Sequence, residues 1–205
     1  MGNKLLIGTN NPAKLQEMSA ALVGLDLECT NPDALGIKEK PVEDGESLSE
    51  NAFIKAKFFS DISGLVSLGD DSGLEIDGLD GEPGIFVRRW PGHEATDAEL
   101  IEYCLDKMKD VPKEKRGAQF RCVVCLYNPE TKEKSFFEGV IKGVIAEKPF
   151  SEHKPGYPFD SLFFIPETGR YLAETKLENR ISIGSHRAKA VRDSIPEIKK
   201  IFNLQ

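Results

Sequence analysis

Asp70 and Asp71 stand side by side where the chain otherwise reads as a strand. Leu65, Val66 and Leu68 lead into the pair, and Ser72 and Gly73 follow at once. β-compatible residues of this kind predict a strand that ends at the aspartates. Two adjacent carboxylates at a strand end repel each other unless a cation lies between them. Ligands that are all oxygen suit a hard ion such as Mg²⁺, which also takes phosphate oxygens and water. The local pattern therefore points to metal-assisted chemistry on a phosphorylated substrate. A solvated acidic turn is the plainer account of Asp-Asp-Ser-Gly, and the other segments have to decide between the two.

A chain of 205 residues is long enough to bury a substantial core as one domain or two joined lobes. Its net charge of −7 argues against nucleic acid as the main partner, because a phosphate backbone needs a basic footprint. A small polyanion can still bind a local basic pocket. No apolar run approaches the length of a membrane span, and no signal-peptide pattern is present, so a cytoplasmic address is expected. Leu6 occupies the position where a myristoylation signal would carry Ser or Thr. Cys122 and Cys125 have C-x-x-C spacing, but they lie in a run that reads as a strand. Residues three apart on a strand point to opposite faces, so the two thiols are not expected to share a metal. Reduced core cysteines are expected.

Lys4 to Gly8 reads as a buried strand, and Thr9-Asn10-Asn11-Pro12 as the turn into a helix. Asn11 suits the N-cap and Pro12 the first helical position, with Gly24 as the stop. The free amides of such a turn, the helix dipole and Lys14 together make an anion site. No Walker-type glycine loop occurs. Ser47 to Glu50 has capping-box spacing and opens a helix whose Ala52, Ala56 and Phe59 share one face. The acidic loop before it, with Glu43, is a possible source of a further carboxylate. Lys55 and Lys57 read as surface charges, with Lys55 a candidate to face a phosphate. Leu74 to Asp77 reads as a strand, Thr96 to Met108 as a helix, and Gln119–Tyr127 with Lys134–Ala146 as paired strands. Trp90, the only tryptophan, is a candidate to pack on the guanidinium of Arg88 or Arg89. Pro155 to Phe164 is too aromatic for a linker. Ser185-His186-Arg187 opens the last long helix, and a separate helical turn is expected after Pro196.

In this order the segments resemble the inosine triphosphate pyrophosphatase family. Thr9 to Lys14 with Glu17 looks like its T-G-N-x-x-K-x-x-E, and Gly45 to Ala52 with Lys55-Ala56 is similar to its G-x-T-F-x-E-N-A-x-x-K-A. Asp70 to Leu74 matches D-D-S-G-L. Gly81-Glu82-Pro83-Gly84 with Arg89 looks like G-x-P-G-x-x-x-x-R, Arg116 to Phe120 like R-x-A-x-F, and Ser185-His186-Arg187 like S-H-R. The matches span nearly the whole chain.

The resemblance implies an α/β fold, with a mixed central β-sheet flanked by helices and two lobes around a nucleotide-binding cleft. It implies a single pyrophosphatase domain over residues 1–205, usually as a homodimer. The implied reaction is Mg²⁺-dependent hydrolysis of ITP, dITP or XTP between the α- and β-phosphates, giving the monophosphate and pyrophosphate. Carried over by position, Asp71 is the proton acceptor and metal ligand, Asp70 stands beside it, and Ser72 contacts substrate. Glu43 becomes the second metal carboxylate after a shift of one residue. Thr9, Asn10, Asn11, Lys14 and Lys55 hold the triphosphate. Tyr157, with Phe159 close by, stacks on the purine, Asp160, His186 and Arg187 face its edge, and Arg180, in place of the family's lysine before S-H-R, contacts substrate. An arginine there accepts a 6-oxo purine and sets donor against donor with a 6-amino purine, at about 1–3 kcal/mol for each buried unpaired donor. The loop that the family writes G-F-G-Y-D-P reads Gly156-Tyr157-Pro158-Phe159-Asp160-Ser161, and Arg88 fills a slot usually held by a small residue. Those departures prompt one alternative, the same reaction on another altered nucleotide; a nucleotide-binding module without turnover is a second, against which the intact Asp70-Asp71-Ser72 weighs.

Overall fold

β1 (Lys4–Ile7) is apolar on both sides, and Leu5, Leu6 and Ile7 are fully buried. It pairs in parallel with β2 (Glu28–Thr30) and with β3 (Ser67–Ile76), Leu6 opposite Ser67 and Ile7 opposite Leu68. Parallel neighbours need crossovers, which α1 (Pro12–Ala21) and α2 (Leu48–Ser63) supply. The computed structural model describes residues 3–152, 155–175 and 185–205. The further elements are β4 (Pro83–Gly84), α3 (Asp97–Met108), β5 (Gly117–Tyr127), β6 (Lys134–Ile145), β7 (Phe163–Ile165), β8 (Arg170–Tyr171) and α4 (His186–Phe202). Eight strands hydrogen-bond in the order β2-β1-β3-β5-β6-β7-β8, with β4 on β3. The β3–β4, β6–β7 and β7–β8 pairs are antiparallel, so the sheet is mixed and the α/β class expected from the motifs is borne out. Among the described residues no helix is long and apolar enough to cross a membrane.

The chain divides into two compact units. The first comprises Met1–Ser72, Cys122–Val140 and Ile181–Gln205, and the second Gly73–Arg121 and Ile141–Arg180. In the first, alternation along the strands sorts the core. Leu5, Ile7 and Leu68 join Met18 and Leu22 of the α1 segment and Ala188, Val191 and Ile198 of α4. Leu6 instead meets Phe59 of α2 and Ile37. The sheet portion of this unit is thus covered by α1 and α4 on one face and by α2 on the other.

Two glycines set how closely the helices approach. A Cβ on Gly69 would lie 2.2 Å from the Ala52 carbonyl oxygen and 2.5 Å from the Ala56 nitrogen, so α2 rests directly on β3. On β6, a Cβ at Gly139 would lie 1.8 Å from the His186 carbonyl oxygen, which seats the first turn of α4. Gly69→Ala is therefore expected to cost about 1–3 kcal/mol through overpacking against helix backbone. Thermal unfolding measures it, and an unchanged midpoint would refute so close an approach.

The second unit packs Leu74 and Ile76 of β3 against Leu100, Cys104 and Met108 of α3, with Phe159, Leu162 and Phe163. Arg116 is buried there and donates to the carbonyls of Met108 (2.7 Å), Ile145 (2.8 Å) and Ala146 (3.1 Å). The arginine of its motif is therefore a structural tie.

Several expectations change. β3 does not end at the aspartates but runs through them to Ile76. α1 stops at Ala21, with Leu22 as its cap, before Gly24. α4 continues through Pro196 as one helix. The proline loses a hydrogen bond there, but Ile195, Ile198 and Ile201 all pack on the core of the first unit and outweigh it. Trp90 lies edge-on to Tyr103 at 5.3 Å and against Phe159 at 6.0 Å, while Arg88 pairs with Asp97. All four cysteines are free, as expected. Burial pushes the thiol of Cys122 up to about 11 and those of Cys104 and Cys125 up to about 12, so they stay protonated in the core.

Candidate active site

Because β3 continues through Asp70 and Asp71, the period of two sends the adjacent carboxylates to opposite faces. Asp70 follows Leu68 toward α1 and α4, whereas Asp71 follows Gly69 toward α2. This corrects the expectation of two like charges sharing one cation at a strand end. The direct cationic contacts differ, Lys14 and Arg187 on Asp70 and Lys55 on Asp71, while both lysines act on both carboxylates through space.

On the α1/α4 face, one Asp70 oxygen (Oδ2) is 3.0 Å from Lys14 Nζ and accepts from Arg187 Nε at 3.0 Å. The same guanidinium donates through Nη1 to Glu17 at 2.7 Å and through Nη2 to Ser72 Oγ at 3.0 Å. Ser185 Oγ donates to Glu17 and caps α4 by accepting from the Ala188 amide at 3.1 Å. Asp70, Glu17 and Arg187 are all buried. Burial alone would raise the Asp70 carboxyl, but Lys14, Arg187 and Lys55 outweigh it and hold it well below the usual carboxylate range. Asp70 is thus a fixed anion.

On the α2 face, Asp71 Oδ1 is 3.3 Å from Lys55 Nζ, and Oδ2 accepts from Asn51 Nδ2 at 3.2 Å. Burial pushes the Asp71 carboxyl up, Lys55 and Lys14 oppose that, and Asp70 and Glu43 add to it. Two neighbours in one strand are therefore driven apart in acidity, the arrangement that separates a permanent charge from a group able to take a proton. Lys55 is buried, contrary to its reading as a surface charge, and its ammonium also lies 2.7 Å from Glu43 Oε2. Burial would lower its pKa, but Asp70, Asp71 and Glu43 together raise it, so it stays charged. Asn51 Oδ1 accepts the Gly45 amide at 2.9 Å and so draws the acidic loop onto the start of α2. The capping box is displaced by one residue: Ser47 caps the Glu50 amide, but Glu50 reaches the Glu46 amide at 2.6 Å.

Among the described residues no three His, Cys, Asp or Glu side chains are grouped to hold a metal alone. Asp71 and Glu43 do converge on a single cationic atom, Lys55 Nζ, and both offer oxygen. That donor set fits a hard divalent ion bound through one or two carboxylates, with phosphate oxygens and water completing its shell.

At the turn into α1 the side chains are spent locally. Asn11 caps the amides of Ala13 and Lys14, as expected, and Thr9 Oγ1 accepts the Asn11 amide. Asn10 Oδ1 accepts from the Asp33 amide and from Asn31. Lys14 is the charged group there, and it leans on Asp70. His186 is the first residue of α4 and half-buried. Three of the five Arg187 N–H donors are engaged, by Asp70, Glu17 and Ser72. In the second unit the 3₁₀ turn Pro158–Ser161 carries Phe159 and Asp160, both buried, with Tyr157 half-buried before it. Phe159 is 2% exposed and packed on Trp90, so it anchors the turn and has no surface to give a substrate. Arg180 lies outside the described residues.

Residues 5–196 match the Ham1 family. The chain belongs to the Ham1 family. It is 37% identical over 190 residues to the dITP/XTP pyrophosphatase of Yersinia pseudotuberculosis, which covers 92% of this chain and 94% of that one. Identity to the Thermus thermophilus dITP/XTP pyrophosphatase is 38% over 191 residues, 93% of this chain and 89% of the relative. A solved Ham1 protein from Coxiella burnetii superposes with a TM-score of 0.84 at 31% identity, over 98% of this chain and 100% of the other. The resemblance drawn from the motifs is borne out, and a Ham1 fold now accounts for the motif order.

Two members of this Ham1 site carried no assigned role in the sequence reading. Glu17 lies three residues after Lys14, the spacing that places both on one helix face, and that spacing was the available signal. Asn51 sits in the helix motif, but its two-sided bonding becomes visible only once the acidic loop has folded back on α2.

Proposed function

We propose that this Ham1 chain, acting as one pyrophosphatase domain over residues 1–205, hydrolyses ITP, dITP and XTP to the monophosphate and pyrophosphate. The observation that carries this reading is the arrangement at Asp70-Asp71: Asp70 held by Lys14 and Arg187 on one face, and Asp71 converging with Glu43 on the Lys55 ammonium on the other. The names of the Yersinia and Thermus relatives supply the substrate class.

In this mechanism Lys14 and Lys55 attract the triphosphate, and Asp71 accepts the proton of the attacking water. Asp71 and Glu43 would hold Mg²⁺ together with phosphate oxygens. When bound, the ion supplies charge neutralisation on the departing pyrophosphate and acidifies water. Lys14 and Arg187 keep Asp70 ionised, and Arg187 keeps Ser72 in place on the same strand. Tyr157 would stack on the base and Asp160 and His186 would hydrogen-bond its edge, while three of the five Arg187 N–H donors hold Asp70, Glu17 and Ser72. A homodimer and a cytoplasmic address belong to the same reading.

The test is product analysis with Mg²⁺ and a panel of ITP, XTP, dITP, ATP, GTP and modified pyrimidine triphosphates. Pyrophosphate with IMP, dIMP or XMP, and little from ATP or GTP, is the expected result. The proline-bearing turn at Pro158 favours a second reading, in which a different altered nucleotide gives the pyrophosphate. Orthophosphate, or no product from any of them, would overturn both.

A further inference from the structure

We propose that Asp97 is a positioning residue for substrate recognition, bracing the turn that carries Tyr157. The proposal rests on the functional reading above for the role of Tyr157. Asp97 is the first residue of α3, after the N-cap Thr96. A carboxylate there is favoured by the helix dipole alone, but this one does more than face the dipole. One of its oxygens accepts the Gly156 amide at 2.6 Å, from 59 residues away in the chain, and the other pairs with Arg88 Nη1 at 2.5 Å. Its side chain is 17% exposed, so the ion pair is partly shielded from water.

The brace falls on the part of the chain that departs from the family pattern. Arg88 stands where a small residue is usual, and Gly156 opens the altered sequence Gly156-Tyr157-Pro158-Phe159. Gly156 has a φ of +84°, open to glycine at little cost, so its conformation needs an external hold to stay fixed. Three residues further on, Phe159 is pinned against Trp90, whose indole nitrogen donates to Glu82 at 3.0 Å. Lys107 of α3 donates to the same Glu82 at 3.1 Å, and Tyr103 of α3 meets the other side of the indole. One helix therefore supports both ends of the turn, through Asp97 at Gly156 and through Trp90 at Phe159. Tyr157 is the residue held between them. A stacking ring gains affinity from being placed before the base arrives, because the cost of ordering it has already been met.

The experiment compares wild type, Asp97→Ala, Asp97→Asn and Arg88→Ala as full chains. It measures kcat and KM for dITP and XTP, hydrogen exchange at the Gly156 amide and fluorescence of Trp90. Loss of a charge-assisted bond in Asp97→Ala is expected to raise Gly156 exchange about tenfold or more and KM about tenfold, with kcat within about twofold. Asp97→Asn keeps an acceptor for Gly156 and is expected to restore most of the KM, and Arg88→Ala should fall between the two. Trp90 emission should shift in Asp97→Ala as Phe159 loosens.

Unchanged KM beside faster Gly156 exchange would overturn the recognition role, as would equal falls in kcat for every substrate with KM unaltered. If Asp97→Ala fails to fold, Asp97→Asn and Arg88→Ala carry the same test. A wild-type protein that releases no pyrophosphate from dITP or XTP overturns the functional reading and the substrate part of this proposal. The brace itself then stands or falls on Gly156 exchange.

Discussion

Asp71→Asn is expected to lower pyrophosphate release from dITP by about 10³-fold, within the range that a positioned general base contributes. Nucleotide binding should survive, because Lys14 and Lys55 keep their charge and one repulsive carboxylate is gone. The fold should survive too, for a reason specific to this residue. Burial raises the Asp71 carboxyl above its ordinary value, against the pull of Lys55 and Lys14. A carboxyl raised on folding stabilises the protein below the usual aspartate range of about 4, and that contribution is lost as pH rises through the folded value. At neutral pH the ionised side chain is therefore a cost, which the neutral amide removes; the amide keeps one acceptor for Lys55 but loses the bond from Asn51 Nδ2. A thermal midpoint close to wild type, with the relieved charge offsetting the lost Asn51 bond, is the expected companion to the lost turnover. Retained turnover would remove Asp71 from the mechanism, and a clear fall in stability would contradict the environment described for it.

Arg187→Met should act in the opposite way, on stability first. It removes the donors to Asp70, Glu17 and Ser72 and leaves two buried carboxylates without their shared cation. Breaking one side of a buried ion pair costs about 3–5 kcal/mol. For a chain of this size that lowers the midpoint on the order of 10 °C. Arg187→Lys should recover only a fraction, since one ammonium does not reproduce three directed contacts. Adding Glu17→Gln to Arg187→Met should recover part of the loss by removing one orphaned charge.

The pH dependence of Arg187→Met follows from Asp70. Its carboxyl is held low by Lys14, Arg187 and Lys55 in spite of burial. A depressed carboxyl contributes stability above the unfolded value of about 4, and that stability is lost as pH falls toward the folded value. The gap between wild type and Arg187→Met should therefore be widest at neutral pH and narrow in acid, as urea unfolding at several pH values would show. A midpoint close to wild type, with only KM altered, would make Arg187 a base reader instead.

Much of the framework was readable without coordinates, because the signals are local. Asn11 before Pro12 marks a helix start, since its side chain reaches amides two and three residues ahead. Ser47 does the same for α2. Leu5, Leu6 and Ile7 announce a strand buried on both faces, and Asn128-Pro129 separates β5 from β6. The motif order also identified the family and singled out Asp70, Asp71, Lys14 and Lys55. Pro196 shows where local rules mislead: the stop it signals is overruled by isoleucines packing on a core assembled from distant strands.

Residue types and their spacing in the sequence thus determined which side chains are available for chemistry and which elements carry them. Tertiary structure alone decided what each one touches. Continuation of β3 through the aspartates sent them to opposite faces, and the close approach allowed at Gly69 brought Lys55 and Asn51 to one of them. Arg187 meets Glu17 across 170 residues, Asp70 across 117, and Asp97 meets Gly156 across 59. Local sequence patterns report on neighbours within about one helical turn or one strand repeat. Charges brought together over such distances are placed by packing of the intervening core, and burial then sets their acidity.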